Sequence, residues 1–190
     1  MTRLAITRKP EQLDNIIQTA RMRDVEIIPL PLLDCEYIKF NVDDDVMNRL
    51  NWLFFTSANG VRSFFDRLNE LNIPLSDRTK IGAVGKKTTV AIHEYGYDVD
   101  FTPSESYGKS LFLEFVTNIA AGNENVMFAR AEKIVYDPEY LFNLAGLRYY
   151  SIICYKTTEN EIPAGNINSL TTSDFILFTA PSAVRSYYKL

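Results

Sequence analysis

The chain reads as an α/β protein built on parallel sheets and carrying an internal repeat. Three observations lead there. First, Phe54-Phe55-Thr56-Ser57-Ala58-Asn59-Gly60-Val61-Arg62-Ser63-Phe64-Phe65 returns as Leu177-Phe178-Thr179-Ala180-Pro181-Ser182-Ala183-Val184-Arg185-Ser186-Tyr187-Tyr188, at an offset of 179 − 56 = 123. Second, each copy opens on a continuous apolar run (Trp52 to Phe55, Phe175 to Phe178) and passes through small residues into helical spacing (Val61, Phe64, Phe65, Leu68). That is a strand covered on both faces, a turn and a helix. Third, Leu4-Ala5-Ile6-Thr7-Arg8 returns as Val126-Met127-Phe128-Ala129-Arg130, at an offset of 130 − 8 = 122. Two different pieces recurring at nearly one spacing indicate a duplication in the order A, B, A′, B′.

The turn after each motif strand falls at the carboxyl edge of its sheet, where open α/β folds bind ligands. The unpaired N–H groups of the following helical turn favour anions there.

Taken in order, residues 4–8 predict the first strand, and Pro10 suits a helix start because its missing N–H costs nothing there. Leu13, Ile16, Ile17 and Ala20 share one helical face, and Val25 to Pro31 form a second strand closed by prolines. An extended stretch (Leu32 to Phe40) leads to Asp43, Asp44 and Asp45. Three consecutive carboxylates on a short helix cannot converge on one cation, so they read as a solvated helix N-terminus. The motif helix stops at Asn72-Ile73-Pro74. Lys80 to Gly85 is a strand, followed by a helix through Tyr95 and a left-handed stop at Gly96. Tyr97 to Phe101 reads as a short strand, Thr102 to Ser106 as a loop, and Tyr107 to Ala121 as an amphipathic helix. After the repeated strand come a helix (Glu139 to Ala145) and a matching strand (Leu147 to Cys154), then a polar stretch and a short helix before the second motif.

Composition narrows the function. The 190 residues carry a net charge of −4, with 46% hydrophobic and 13% aromatic residues. That supports a real core and argues against general nucleic-acid or anionic-membrane binding, so an anionic ligand needs a local cationic cluster. The start of the chain shows no charged-then-apolar leader and no apolar run reaches membrane length, so a cytoplasmic location is expected. Cys35 and Cys154 lie in apolar contexts without metal-type spacing and read as buried thiols. The single histidine, His93, reads as packed or surface-exposed. No loop is rich enough in glycine to wrap a phosphate chain, which argues against a flavodoxin-like nucleotide binder.

The duplicated strand-Thr-Ser/Ala-turn-Val-Arg motif, the Thr7-Arg8 end of the first strand, Val84-Gly85-Lys86-Lys87-Thr88, Gly96-Tyr97 and the Tyr155-Lys156-Thr157 exit together resemble the uroporphyrinogen-III synthase family. The resemblance covers essentially the whole chain. It implies two similar parallel-sheet α/β/α domains from an interleaved duplication, A joining B′ and B joining A′. Mapped here these are residues 1–33 plus 160–190 and residues 34–159, with extended linkers near Leu32–Glu36 and Tyr155–Thr158. The first domain would lack the strand and turn that follow B in the other; a full second copy needs roughly 56 further residues.

The same resemblance implies a cofactor- and metal-independent lyase. Its substrate would be hydroxymethylbilane, a linear tetrapyrrole bearing eight carboxylates, which loses water and closes to uroporphyrinogen III with ring D inverted through a spiro intermediate. Positioning and slight acid assistance to the leaving hydroxyl would do this work. Tyr155 matches the family's tyrosine beside that hydroxyl, or else packs as a linker residue. Thr88 matches a functional turn threonine, or caps its helix. Ser57, Ala58, Asn59, Pro181 and Ser182 lie at the motif turns, as substrate-binding or capping residues. Arg8 and Arg130 end equivalent strands and would meet carboxylates or form an interdomain ion pair. Arg62 and Arg185 read as structural. A monomer is implied, with the upstream bilane-forming enzyme as a candidate partner. The alternative is a non-catalytic two-domain hinge protein that binds a tetrapyrrole or another polyanion.

Overall fold

A computed structural model of the chain describes residues 1–160 and 172–189. The short helix expected before the second motif lies outside the described residues. The chain divides into two compact units, residues 1–35 with 157–190 and residues 36–156.

In the first unit the strands are β1 (Thr2–Ile6), β2 (Val25–Pro29) and β8 (Phe175–Leu177), in the order β2-β1-β8, all parallel. The first strand is thus shifted toward the N-terminus relative to the expected 4–8, and Thr7 and Arg8 lie beyond it. Thr7 leaves the ladder to clasp the neighbouring strand end. Its hydroxyl accepts from Thr179 N–H (3.1 Å), and the Thr179 hydroxyl donates to the Thr7 carbonyl (3.2 Å). Pro10 opens a 3-10 turn (Pro10–Gln12), and α1 (Asp14–Arg21) starts after it, with Leu13 fully buried. Helix α7 (Pro181–Tyr187) follows β8 and buries Ala183 against Leu30 and Leu32.

The second unit is organised on a five-stranded sheet in the order β3-β7-β6-β4-β5. Its strands are β3 (Leu33–Tyr37), β4 (Trp52–Phe55), β5 (Lys80–Ala83), β6 (Asn125–Ala131) and β7 (Arg148–Glu159). The motif strand β4 is central and buried at all four positions, as its unbroken apolar run requires. On one face Phe54 packs among Trp52, Phe112, Phe115 and Phe142, with the Phe115 ring centroid 4.8 Å away. On the other, Phe55 meets Phe64 and Phe65 of α3 (Ala58–Leu71). Gly82 of β5 lies against the Phe54 ring so closely that a Cβ there would sit 2.5 Å from ring carbons.

Among the described residues the remaining helices are α2 (Asp44–Asn48), α4 (Lys86–Glu94), α5 (Gly108–Asn118) and α6 (Glu139–Leu144). The acidic trio behaves as a helix start: Asp43 caps α2 by accepting from Asp45 and Val46 N–H. Asn72 takes the left-handed position (φ 56°) that ends α3.

Two further strand expectations are corrected. Tyr97 to Phe101 is not a strand; a single parallel bridge, Gly82 to Phe101, forms there, while the Asp100 carboxylate accepts from Ile81 N–H (2.8 Å). The strand expected to end at Cys154 continues to Glu159 because β3 pairs with it, through Ile38 N–H to the Cys154 carbonyl and Asn160 N–H to the Leu32 carbonyl. The residues expected as linkers, Leu32–Glu36 and Tyr155–Thr158, lie largely within β3 and β7.

The pairing registers of the two units correspond. Leu4 opposes Phe175 and Ile27 in the first, while Val126 opposes Trp52 and Tyr149 in the second. These are the same pairs displaced by 126 − 4 = 122, 175 − 52 = 123 and 149 − 27 = 122. The order β2-β1-β8 therefore matches β7-β6-β4 residue by residue.

Candidate functional site

At the carboxyl edge of the second unit's sheet, β4 ends at Phe55 and Ser57 becomes the N-cap of α3. In extended conformation (φ −156°), Ser57 turns its Oγ back to accept from Gly60 N–H at 3.1 Å, satisfying one of the helix's unpaired donors. Tyr155 arrives from β7. The β6–β7 ladder shifts register between Arg130 and Ala131, so that Ala131 opposes Tyr155, and Glu132 N–H donates to the Tyr155 carbonyl at 2.8 Å. The phenol oxygen then lies 2.7 Å from Ser57 Oγ.

Packing holds this pair. Ser63 Oγ donates to the carbonyl of Cys154, which ties α3 to β7 one residue before Tyr155. A Cβ on Gly60 would stand 3.2 Å from the Ala129 carbonyl, 3.4 Å from Ser57 Oγ and 3.7 Å from the Tyr155 ring. Glycine at that position lets the first turn of α3 approach both β6 and the phenol. Tyr155 is 9% exposed, a mostly buried ring whose hydroxyl meets a side-chain partner.

The pair borders a cavity of about 610 Å³. Thr56, Ser57 and Tyr155 form one wall, Gly108, Lys109 and Phe112 of α5 another, and Ala131 at the end of β6 with Lys133, Ile134, Val135 and Tyr136 a third. Phe112 and Tyr136 stack at 6.3 Å (23° between planes) within this lining. A Cβ on Gly108 would come 3.3 Å from Thr56 Cγ2, so the start of α5 is seated directly on the motif turn. Sequence reasoning missed the stretches 105–110 and 131–136. Only packing brings them to the motif turn.

The other expected site residues are placed as follows. Ala58 and Asn59 are the first two residues of α3, behind the Ser57 cap. Thr88 is 3% exposed in the first turn of α4 and does not cap it; Gly85, at φ 79°, holds the capping position. The Arg130 guanidinium donates to Ser151 Oγ (2.6 Å) and to the carbonyls of Ala131 (2.9 Å) and Glu132 (3.1 Å), bracing the turn that leads to residues 131–136. Arg8, Pro181 and Ser182 belong to the first unit, at the carboxyl edge of its own sheet. There Ala180, without a side-chain cap, stands where the offset of 123 places the counterpart of Ser57, and Ser182 is the second residue of α7.

The remaining chemistry-bearing side chains lie outside the cavity lining. His93 is exposed, with Nε2 3.9 Å from an Asp98 carboxylate oxygen. Burial pushes the Cys35 thiol up to about 11 and the Cys154 thiol up to about 12, so both stay protonated at neutral pH. Arg62 pairs with Glu94 at 3.0 Å. Among the described residues no group of three or more His, Cys, Asp and Glu side chains is arranged to hold a metal ion, and no helix is long and apolar enough to cross a membrane.

Comparison with known proteins bears on what this site serves. A porphyrin biosynthesis protein HemD of Ruminiclostridium josui is 27% identical over 98% of this chain. A putative uroporphyrinogen-III synthase of Methanocaldococcus jannaschii is 32% identical over 59% of it. The chain spans only 38% and 46% of the lengths of these two relatives. Crystal structures of uroporphyrinogen III synthases share the fold over the full chain. A mutant of the Thermus thermophilus protein gives a TM-score of 0.67 at 16% identity, and the Helicobacter pylori protein 0.63 at 18%, with 77% and 78% of those chains covered. Residues 14–190 match the family model described as uroporphyrinogen-III synthase HemD, and the chain belongs to that family.

Proposed function

We propose that this chain acts as a uroporphyrinogen-III synthase, a lyase that needs no cofactor and closes hydroxymethylbilane to uroporphyrinogen III with loss of water and inversion of ring D. The observation that carries the reading is the Ser57–Tyr155 hydroxyl pair on the wall of a cavity at a sheet's carboxyl edge, in a chain of this family. Because Ser57 Oγ already accepts from Gly60 N–H, its own proton is available for the Tyr155 oxygen. The phenol can then direct its proton at the departing hydroxyl.

In that step the carbon–oxygen bond of the terminal hydroxymethyl group breaks and the oxygen leaves as water with the Tyr155 proton. The resulting azafulvene cation is attacked by the substituted carbon of ring D, giving the spiro intermediate, which fragments and recloses inverted. The proton lost as the last ring regains aromaticity balances the one Tyr155 gave up. A phenol is a weak acid, with a pKa of about 10 when unperturbed, yet so labile an alcohol needs only a directed hydrogen bond. Ser57 is a positioning residue and Tyr155 the catalytic one. Ala58, Asn59, Thr88 and Arg130, with Arg8, Pro181 and Ser182 of the other unit, complete the proposed substrate-binding set.

We further read the two units as an interleaved duplication, with domains 1–33 plus 160–190 and 34–159. The matching registers of β2-β1-β8 and β7-β6-β4 support this, since strands of unrelated origin have no reason to share them.

The test supplies hydroxymethylbilane from a bilane-forming enzyme and resolves the product isomers. Mostly type III product is expected, whereas type I alone, the outcome of spontaneous closure, would count against synthase activity. Tight binding of uroporphyrin III without any turnover would favour the hinge-binding role instead.

A further inference from the structure

The cavity beside the Ser57–Tyr155 pair holds two cations that the proposed chemistry does not use. Lys109, in the first turn of α5, and Lys133, in the loop after β6, both line it. Among the described residues neither forms an ion pair; Lys109 Nζ lies 6.0 Å from the centroid of the Tyr136 ring. One carboxylate, Glu105, shares the lining, so the local balance is positive in a chain of net charge −4. The half-buried Tyr136 ring also lines the cavity, stacked with the fully buried Phe112. The α5 end is held in place: Glu114 accepts from the Ser104 N–H (3.0 Å) and hydroxyl (2.6 Å), which fixes the preceding loop against the helix. Two ammonium groups that share a cavity with an aromatic ring, neither in an ion pair among the described residues, match the chemistry of a planar ring bearing carboxylates.

We infer that Lys109 and Lys133 form a carboxylate-binding subsite that seats one pyrrole ring of the substrate beside Tyr136. This deepens the synthase reading and rests on it. The lysines act on ground-state binding and on which ring reaches Tyr155, and they carry no proton in the reaction.

The experiment titrates the full chain with uroporphyrin III, a fluorescent octacarboxylate, at two salt concentrations, and runs the isomer assay in parallel. It compares the parent chain with Lys109→Gln, Lys133→Gln, the double variant, and Lys109→Arg with Lys133→Arg. Each glutamine variant should bind about tenfold more weakly, the loss expected of a hydrogen bond to a charged group. Salt dependence should shrink, the arginine variants should restore affinity, and unchanged melting temperatures should show that the fold is intact. If the parent makes type III product while the glutamine variants bind as it does, the subsite is overturned and the synthase reading survives. If the parent binds and the variants weaken but no type III product forms, the subsite stands and the activity falls. A parent that neither binds nor converts overturns both.

Discussion

The hydroxyl oxygens of Ser57 and Tyr155 lie 2.7 Å apart although 98 residues separate them in the chain. One caps a helix and the other ends a strand's pairing with β6, so each is held by backbone that would be ordered without its partner. Their meeting therefore reports how accurately β4, β6 and β7 pack, and it makes the pair sensitive to small errors in that packing.

Removing the phenol should separate chemistry from folding. Tyr155→Phe keeps the ring and deletes only the hydroxyl, so kcat for type III product should fall by about a hundredfold or more, the usual contribution of a positioned acid. Ser57→Ala should lower kcat by less, and should also cost about 1 kcal/mol of stability through the lost cap. Turnover of Tyr155→Phe at the parental rate would remove Tyr155 from the mechanism.

Gly60→Ala tests the close approach beneath the ring. Alanine improves helix propensity by about 1 kcal/mol, but the new methyl would press on the Ala129 carbonyl at 3.2 Å and on Ser57 Oγ at 3.4 Å. Stability in urea should change little while activity drops, because the pair is displaced. A variant with full activity would show that the geometry tolerates the shift.

Gly82→Ala should act on the fold instead. Its methyl would meet Phe54 ring carbons at 2.5 Å, and that ring is fully buried among Trp52, Phe115 and Phe142, with no room to turn aside. A loss of about 1–3 kcal/mol is expected for such overpacking, read as a lower urea midpoint. Gly82→Ala matching the parent would mean that the Phe54 cluster can yield to an added methyl.

Alkaline pH should destabilise the chain through Cys154 and Tyr149. Burial raises the Cys154 thiol from its ordinary 9.0 to about 12 and the Tyr149 phenol from 10.0 to about 12. Between those values the unfolded chain has released protons that the folded chain retains, so stability falls as pH rises. Urea midpoints should be independent of these groups below pH 9 and should decline from about 9 towards 12. Cys154→Ala should flatten the first part of that decline; an unchanged slope would show that the thiol does not contribute.

Much of the scaffold was legible in the residues alone. Apolar runs such as Trp52 to Phe55 mark strands covered on both faces because only burial tolerates unbroken hydrophobicity, and the recurrence of the Arg-ending strand and of the Phe-Thr motif placed matching strands at matching offsets. The helix start at the acidic trio Asp43 to Asp45 and the helix stop at Asn72-Ile73-Pro74 followed from local backbone chemistry. Local rules misjudged Tyr97 to Phe101, whose pattern is strand-like but which pairs at one residue only, and the end of β7, which extends because β3 lies beside it.

What the chain encodes by itself is therefore the set of elements and their repetition, since periodicity and caps act over a few residues. Tertiary packing alone decided that the Tyr155 hydroxyl reaches Ser57 and that Lys109 and Lys133 share a cavity with the pair. Those relations depend on a register shift, on the neighbours that Gly60 and Gly108 meet, and on loops of no periodic pattern, and residue order does not reveal which distant atoms come together.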